Sequence, residues 1–204
     1  MDAQKIDKGQ MNLHFRPIDL VPFVTETASI FDAQAEERGI DFTFRHDGID
    51  GLVLWADRSG LDKIIVNILS NAFKFSREGD SISVSVKQFT SQKHSRFEFT
   101  VADTGAGMSE EFLGRIFEPY SRETRFGAKK VMGTGLGMSI VRSIVTQMSG
   151  RITVKSTLGK GSVFTVSLPF EVVRAPRPPP WRNRSPCLPT ETLRACVFFW
   201  PRTM

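Results

Sequence analysis

An α/β fold is predicted by two features of this 204-residue chain. Segments whose apolar residues recur every three or four positions alternate with short segments whose apolar residues recur every second position. Glycines and other turn residues stand at nearly every change between the two patterns. The length fits this class, because a body of roughly 150 residues buries about two thirds of its unfolded surface and needs no covalent staple. Two Cys are too few for a disulfide scaffold or a multi-Cys zinc centre.

Each element follows from its own pattern. The run DLVPFVTETASIFDAQAEERG, from Asp19 to Gly39, puts Leu20, Phe23, Val24, Thr27, Phe31 and Ala35 near one face. It opens on a capping Asp with an early Pro and ends on Gly, which predicts one amphipathic helix. IDFTFR (40–45) and LVLWA (52–56) read as strands joined by turn residues around Asp47 to Gly51. Asp57 caps a second helix, RSGLDKIIVNILSNAFKF, striped by Leu61, Ile64, Ile65, Ile68, Leu69 and Ala72. SISVSVKQF (81–89) and RFEFTVA (96–102) alternate with period two across a hairpin loop, TSQKHS. A short helix follows Ser109, and a glycine- and charge-rich stretch runs from Pro119 to Gly135. LGMSIVRSIVTQM (136–148) has helical periodicity and stops at Gly150, after which RITVKS and SVFTVSL pair as strands across TLGKG. No internal repeat is evident.

The charge is unevenly spread. The sequence pI is near 9.5, a value that invites a nucleic-acid reading. Residues 1 to 170 carry 21 Lys or Arg against 20 Asp or Glu, however, while residues 171 to 204 carry six Arg and two Glu. The near-neutral body argues against nucleic acid as a partner. The same 34-residue tail holds seven of the 11 Pro, both Cys and none of the Lys. It reads as a linker, a disordered or non-native end, or a proline-rich docking segment. No apolar run reaches about 18 residues and MDAQKIDKGQ has no signal core, so a soluble, cytosolic chain without a membrane segment is expected.

Three segments carry polar residues where bland ones would serve. On the second helix Asn67, Asn71 and Lys74 recur at i, i+4 and i+7, lining one face beside the apolar stripe. Asn is a poor helix former, so this face suits a hydrated Mg²⁺ with phosphates as well as it suits solvent. DTGAG, Asp103 to Gly107, follows a strand and combines a carboxylate acceptor with glycines that allow close backbone approach, although Asp-x-Gly is also a common turn. GTGLG, Gly133 to Gly137, opens a helix whose N–H groups and positive dipole end can receive phosphate, or it serves as a plain hinge. It matches neither the P-loop nor the dinucleotide fingerprint.

In combination, NILSNAFKFS, DTGAGM, IFEPYSR, GTGLGMSIVRSIV and STLGKGSVFTVSLP resemble, in order and approximate spacing, the ATP-binding catalytic domain of sensor histidine kinases. The resemblance covers residues 13 to 170. It implies a Bergerat-type two-layer α/β sandwich: a mixed, mostly antiparallel sheet of about five strands packed by about three helices, with an ATP lid. It also implies two cofactors, ATP and Mg²⁺. Asn71 would be the metal ligand, Asn67 would lie beside it, and Lys74 would reach the phosphates, making Asn67 and Lys74 the residues nearest the chemistry. Asp103 would accept the adenine amino hydrogen, with Gly105 and Gly107 packing the base on backbone. Gly133, Thr134, Gly135, Leu136 and Gly137 would form the phosphate end of the lid. Arg122, Arg125, Lys129 and Lys130 would neutralise phosphate charge, and Thr165 would stand near the base.

Asn67 occupies the position where related ATPases carry a Glu. An amide cannot take a proton near pH 7, so slow hydrolysis is implied and phosphoryl transfer to another group is left. The acceptor histidine would be followed by an acidic residue. His14 in NLHFRP, His46 in RHDG and His94 in QKHS all read as surface residues instead. Residues 1–12 resemble the end of a dimerisation and phosphoacceptor helix, so the chain is expected to begin just after the acceptor. The implied partners are that domain directly and a response-regulator receiver domain indirectly, with the fragment a monomer and the parent membrane-anchored. An anti-sigma-type serine kinase and an ATP-binding module without transfer are the alternatives.

Overall fold

The computed structural model describes residues 13–47, 51–90, 95–123, 134–170 and 172–173. All lie in Met1–Arg174, the first of two units into which the chain divides. Expectations for residues 1–12, for His94, for Arg125, Lys129, Lys130 and Gly133, and for the tail from residue 174 lie outside the described residues.

Along the chain, β1 (Phe15–Asp19) leads into α1 (Leu20–Ser29) and α2 (Asp32–Arg38). Then come β2 (Asp41–Asp47), β3 (Val53–Asp57) and the long α3 (Arg58–Phe75). Strands β4 (Ser81–Thr90) and β5 (Ser95–Asp103) are followed by α4 (Glu110–Leu113) and α5 (Gly137–Gln147). The last strands are β6 (Arg151–Thr157), β7 (Gly161–Phe170) and β8 (Val172–Val173).

The main sheet has five strands in the order β2-β4-β5-β7-β6. The β2–β4 pair is parallel and the rest are antiparallel. Its alternation is clean. Ile82, Val84 and Val86 of β4, Phe97 and Val101 of β5, and Phe164, Val166 and Leu168 of β7 are buried in the same core as the helices. The intervening Ser83, Ser85, Thr100 and Thr165 point to the other face. Helix α3 packs between α1 and α5 over the apolar face, completing the two layers.

Helix α3 has the predicted span, and every residue of its predicted stripe is buried. Asp57 caps it, accepting from the Gly60 amide at 2.8 Å through one oxygen and from the His14 amide at 2.7 Å through the other. The cap therefore also ties down the start of β1.

Three expectations are corrected. The helix predicted from Asp19 to Gly39 is two helices, α1 and α2, because the chain turns at Ile30 and Phe31. Thr25, Thr27 and Ser29 hydrogen-bond their hydroxyls to carbonyls three or four residues back, a local competition that weakens the helix there. The turn leaves Ile30 68% exposed and drives Phe31 inward to stack on Phe73, with centroids 5.1 Å apart. Strands β2 and β3, adjacent in sequence, belong to different sheets. β1, β3 and β8 make a separate three-stranded sheet, so pairing extends to Val173, past the expected boundary at Phe170.

Candidate functional site

Helix α3 is the shared wall of the site. Its apolar stripe faces the core, which leaves Asn67, Asn71 and Lys74 half-buried along one edge. Asn67 donates from Nδ2 to the Lys63 carbonyl at 2.7 Å. Its Oδ1 faces the start of α5, where a Cβ on Gly137 would stand 2.8 Å away. The Lys74 ammonium lies 5.2 Å from the Phe75 ring centroid. Burial, and then the Arg122 charge, hold its pKa below the usual lysine value. Lys74 and Arg122 thus form a cationic pair, Lys74 partly desolvated and Arg122 exposed.

Asp103 ends β5, the middle strand, between Ile82 of β4 and Ser162 of β7. It is 8% exposed. Burial pushes its carboxyl above the ordinary range and the Asp80 charge adds to this, while backbone N–H groups of Gly105 and Ser162 pull the other way. The Gly105 amide donates to Oδ1 at 3.0 Å. The loop after Asp103 is clamped from two sides. The Ala106 amide donates to the Phe75 carbonyl at 3.1 Å, and the Ala106 carbonyl accepts from Gly159 at 2.8 Å. Gly105 sits so close that a Cβ there would be 2.5 Å from the Phe75 carbonyl oxygen. Gly107 has φ +61° and a Cβ there would run into the Thr157 carbonyl, a position only glycine fills without strain.

Beyond α3 lies the N-terminus of α5. Leu136 is its N-cap residue and Gly137 its first residue, with no acidic side chain in the first turn to neutralise its positive end. Gly135 precedes it, its carbonyl accepting from the Tyr120 amide at 3.0 Å, and Thr134 is exposed. The structure therefore brings Asn67, Asn71, Lys74, Arg122 and the segment 134–137 to one side of α3, and joins Asp103, Gly105 and Gly107 to its C-terminal end.

Thr165 is not with them. It pairs with Thr100, three residues from Asp103 on the same strand, and so occupies the opposite face of the sheet. Its hydroxyl lies 3.4 Å from that of Thr100. Ser162 takes the place expected for Thr165, being buried directly across from Asp103. Ser156 donates to the Gly161 carbonyl at 2.8 Å, so its single proton is committed and the 3.0 Å contact with Ser162 has Ser162 as donor. The Ser162 oxygen keeps its acceptor capacity beside Asp103. Ser162 belongs to the period-two set of Phe164, Val166 and Leu168 that faces the core, and Thr165 falls out of that set, which is the signal that would have selected it.

A family model described as histidine kinase-, DNA gyrase B-, and HSP90-like ATPase matches residues 56–172. The autoinducer 2 sensor kinase/phosphatase LuxQ of Vibrio vulnificus (strain YJ016) is 33% identical over 172 residues, covering 84% of this chain and 20% of that protein. The nucleotide-free catalytic domain of the histidine kinase ThkA superposes with a TM-score of 0.65 at 27% identity, covering 77% of this chain and 96% of that one. Full-length ShkA in complex with AMPPNP gives a TM-score of 0.70 at 27% identity, covering 85% of this chain and 35% of that one. The chain spans about a fifth of the length of the curated relatives it matches.

Proposed function

The chain belongs to the histidine kinase-, DNA gyrase B- and HSP90-like ATPase family, and from that premise we propose that it binds Mg-ATP and presents the γ-phosphoryl for transfer to a histidine of a dimerisation and phosphoacceptor domain. The observation that carries this reading is the polar edge of α3, held between the Asp103 loop at one end and the N-terminus of α5 at its middle. Asp103 accepts a hydrogen bond from the adenine amino group. Guanine offers a carbonyl at that edge and would leave the buried carboxylate unpaired, which sets the base preference. Gly105 and Gly107 bring backbone against the ring.

Along the polar edge of α3, Lys74 and Arg122 offset phosphate charge, with Lys129 assigned the same duty from the sequence. The α5 N-terminus, through Thr134, Gly135, Leu136 and Gly137, receives phosphate oxygens, with Gly133 assigned the same duty from the sequence. The donor set suits Mg²⁺: Asn71 offers one carboxamide oxygen, and the described residues hold no cluster of three or more His, Cys, Asp or Glu. That is the sparse protein ligation of a metal that keeps its waters. When bound, the ion offsets charge across the phosphate chain. Asn67 cannot serve as a general base, so water is not activated and the phosphoryl group waits for an oriented nucleophile.

Two-component signalling supplies that nucleophile from the phosphoacceptor domain, and the phosphoryl group then passes to a response regulator. We place this domain on the cytoplasmic side of a membrane-anchored parent. Among the described residues no helix is long and apolar enough to cross a membrane.

Calorimetry with a non-hydrolysable ATP analogue and Mg²⁺, on wild type and Asp103→Asn, tests the binding step. Equal affinities, or no binding by either, would sink the adenine assignment. Incubation with γ-labelled ATP should leave the chain itself unlabelled, and adding the acceptor domain of a related kinase should yield acid-labile label on that domain.

A further inference from the structure

We propose that Arg38, on α2 and outside the site itself, is a positioning residue for nucleotide binding, fixing the end of α3 from which both halves of the site are hung. This inference rests on the Mg-ATP reading above.

A helix of this length leaves its last carbonyls without intrahelical partners. The last intrahelical bond of α3 runs from the Ser76 amide to the Ala72 carbonyl at 3.1 Å, and most of the carbonyls after it find a partner elsewhere. Phe75 accepts from Ala106 in the Asp103 loop. The carbonyls of Phe73 and Ser76 are taken by Arg38, through Nη1 and Nη2 respectively, the second at 2.6 Å. A guanidinium suits this, because its planar fork spans two acceptors at once and its charge complements the negative end of the helix. An ammonium on a flexible stem lacks this rigid fork and would hold the two carbonyls less firmly.

Arg38 is itself held. It closes α2, and Gly39 follows with φ +60°, its amide bonding back to α2 carbonyls. The Gly39 carbonyl accepts from Gly79 at 2.9 Å, and Asp41 donates to the Asp80 carbonyl at 3.0 Å. The α2–β2 corner is thus laced to the α3–β4 corner. The Phe75 carbonyl that Ala106 uses lies between the two that Arg38 uses. Its direction, and with it the height of the Asp103 loop, depends on the guanidinium. Lys74 and Asn71 sit within the same terminal turn and the one before it. None of this requires Arg38 to touch nucleotide.

The test is affinity for the ATP analogue with Mg²⁺, measured by calorimetry well below each variant's melting temperature on wild type, Arg38→Ala and Arg38→Lys. Arg38→Ala should bind about tenfold more weakly, and Arg38→Lys should fall between it and wild type. Methylguanidinium at tens of millimolar should restore affinity to Arg38→Ala while leaving wild type unchanged, a response that loss of bulk stability alone would not give. Folded Arg38→Ala with wild-type affinity overturns the proposal. If Arg38→Ala does not fold, Arg38→Lys decides: a severalfold loss at near-normal melting temperature supports it, and unchanged affinity overturns it. A wild type that binds no analogue removes the nucleotide reading and this inference with it, whereas a binding wild type with indifferent variants removes Arg38 alone.

Discussion

The Asn67 Oδ1 rests against Gly137, at the point where α3 meets the first residue of α5, with 2.8 Å between that oxygen and the place a Cβ would occupy. A methyl group there displaces the Asn67 side chain, whose Nδ2 is already bonded to Lys63. The preference for Ala over Gly, up to about 1 kcal/mol, belongs to helix interiors, and Gly137 is only the first residue of α5, so Gly137→Ala should shift the melting temperature little. Affinity for Mg-ATP should nonetheless fall severalfold. Calorimetry and thermal melts on the same sample check both, and undiminished affinity would show that the contact does not matter for binding.

Asp103 should make apo stability and nucleotide affinity respond oppositely to pH. Its folded pKa lies above the ordinary 3.8, chiefly through burial. The neutral form is therefore favoured by the fold, a contribution present below the unfolded pKa and lost as pH rises through the folded one. Binding needs the ionised acceptor and should strengthen over that same rise. Comparing wild type with Asp103→Asn across the acidic range should show the wild type losing relative stability upward in pH while its affinity climbs. A pH-independent affinity ratio between the two proteins would contradict the assignment.

Lys74 is a cation whose charge is disfavoured until an anion arrives, because burial and Arg122 both lower its pKa. Lys74→Met should leave apo stability undiminished. The variant should lose about tenfold in affinity for ATP while binding adenosine as wild type does. Parallel titrations with ATP, ADP and adenosine measure this, and a uniform loss across the three would argue against a phosphate-specific role.

The two faces of β7 offer a direct comparison. Ser162→Ala removes the hydroxyl beside Asp103 and should weaken analogue binding severalfold, whereas Thr165→Val acts on the opposite face and should leave affinity unchanged. The reverse outcome would restore Thr165 to the site and displace Ser162.

What could be read from the chain depended on whether a signal was local. Helix α3 was legible to its ends because its cap, stripe and polar edge all lie within one segment, Asp57 to Phe75. The break after α1 was not, because Thr27, Phe31 and Ala35 continue at intervals of four straight through the turn. β1 carries a Pro and is mostly exposed, and β8 has two residues, so neither offers an alternation to count. Thr165 was misplaced for a different reason: the face of a strand residue depends on register, and register here is set by the turn at Gly161 and by pairing with a distant strand. The clamp by Arg38 joins residues more than thirty positions apart and has no sequence signature at all.

Asp103 stands at the end of a strand hydrogen-bonded on both sides. Exposing it by thermal fluctuation would require the end pairs of both ladders and the Ala106 clamp to open together, a costlier event than the fraying of an edge strand. In native-state hydrogen exchange the amides of β5 near Asp103 should accordingly be better protected than those at the ends of the edge strands β2 and β6. Base recognition would then outlast the fraying of the sheet edges, and a destabilised protein would become fewer competent molecules, each still selective for adenine.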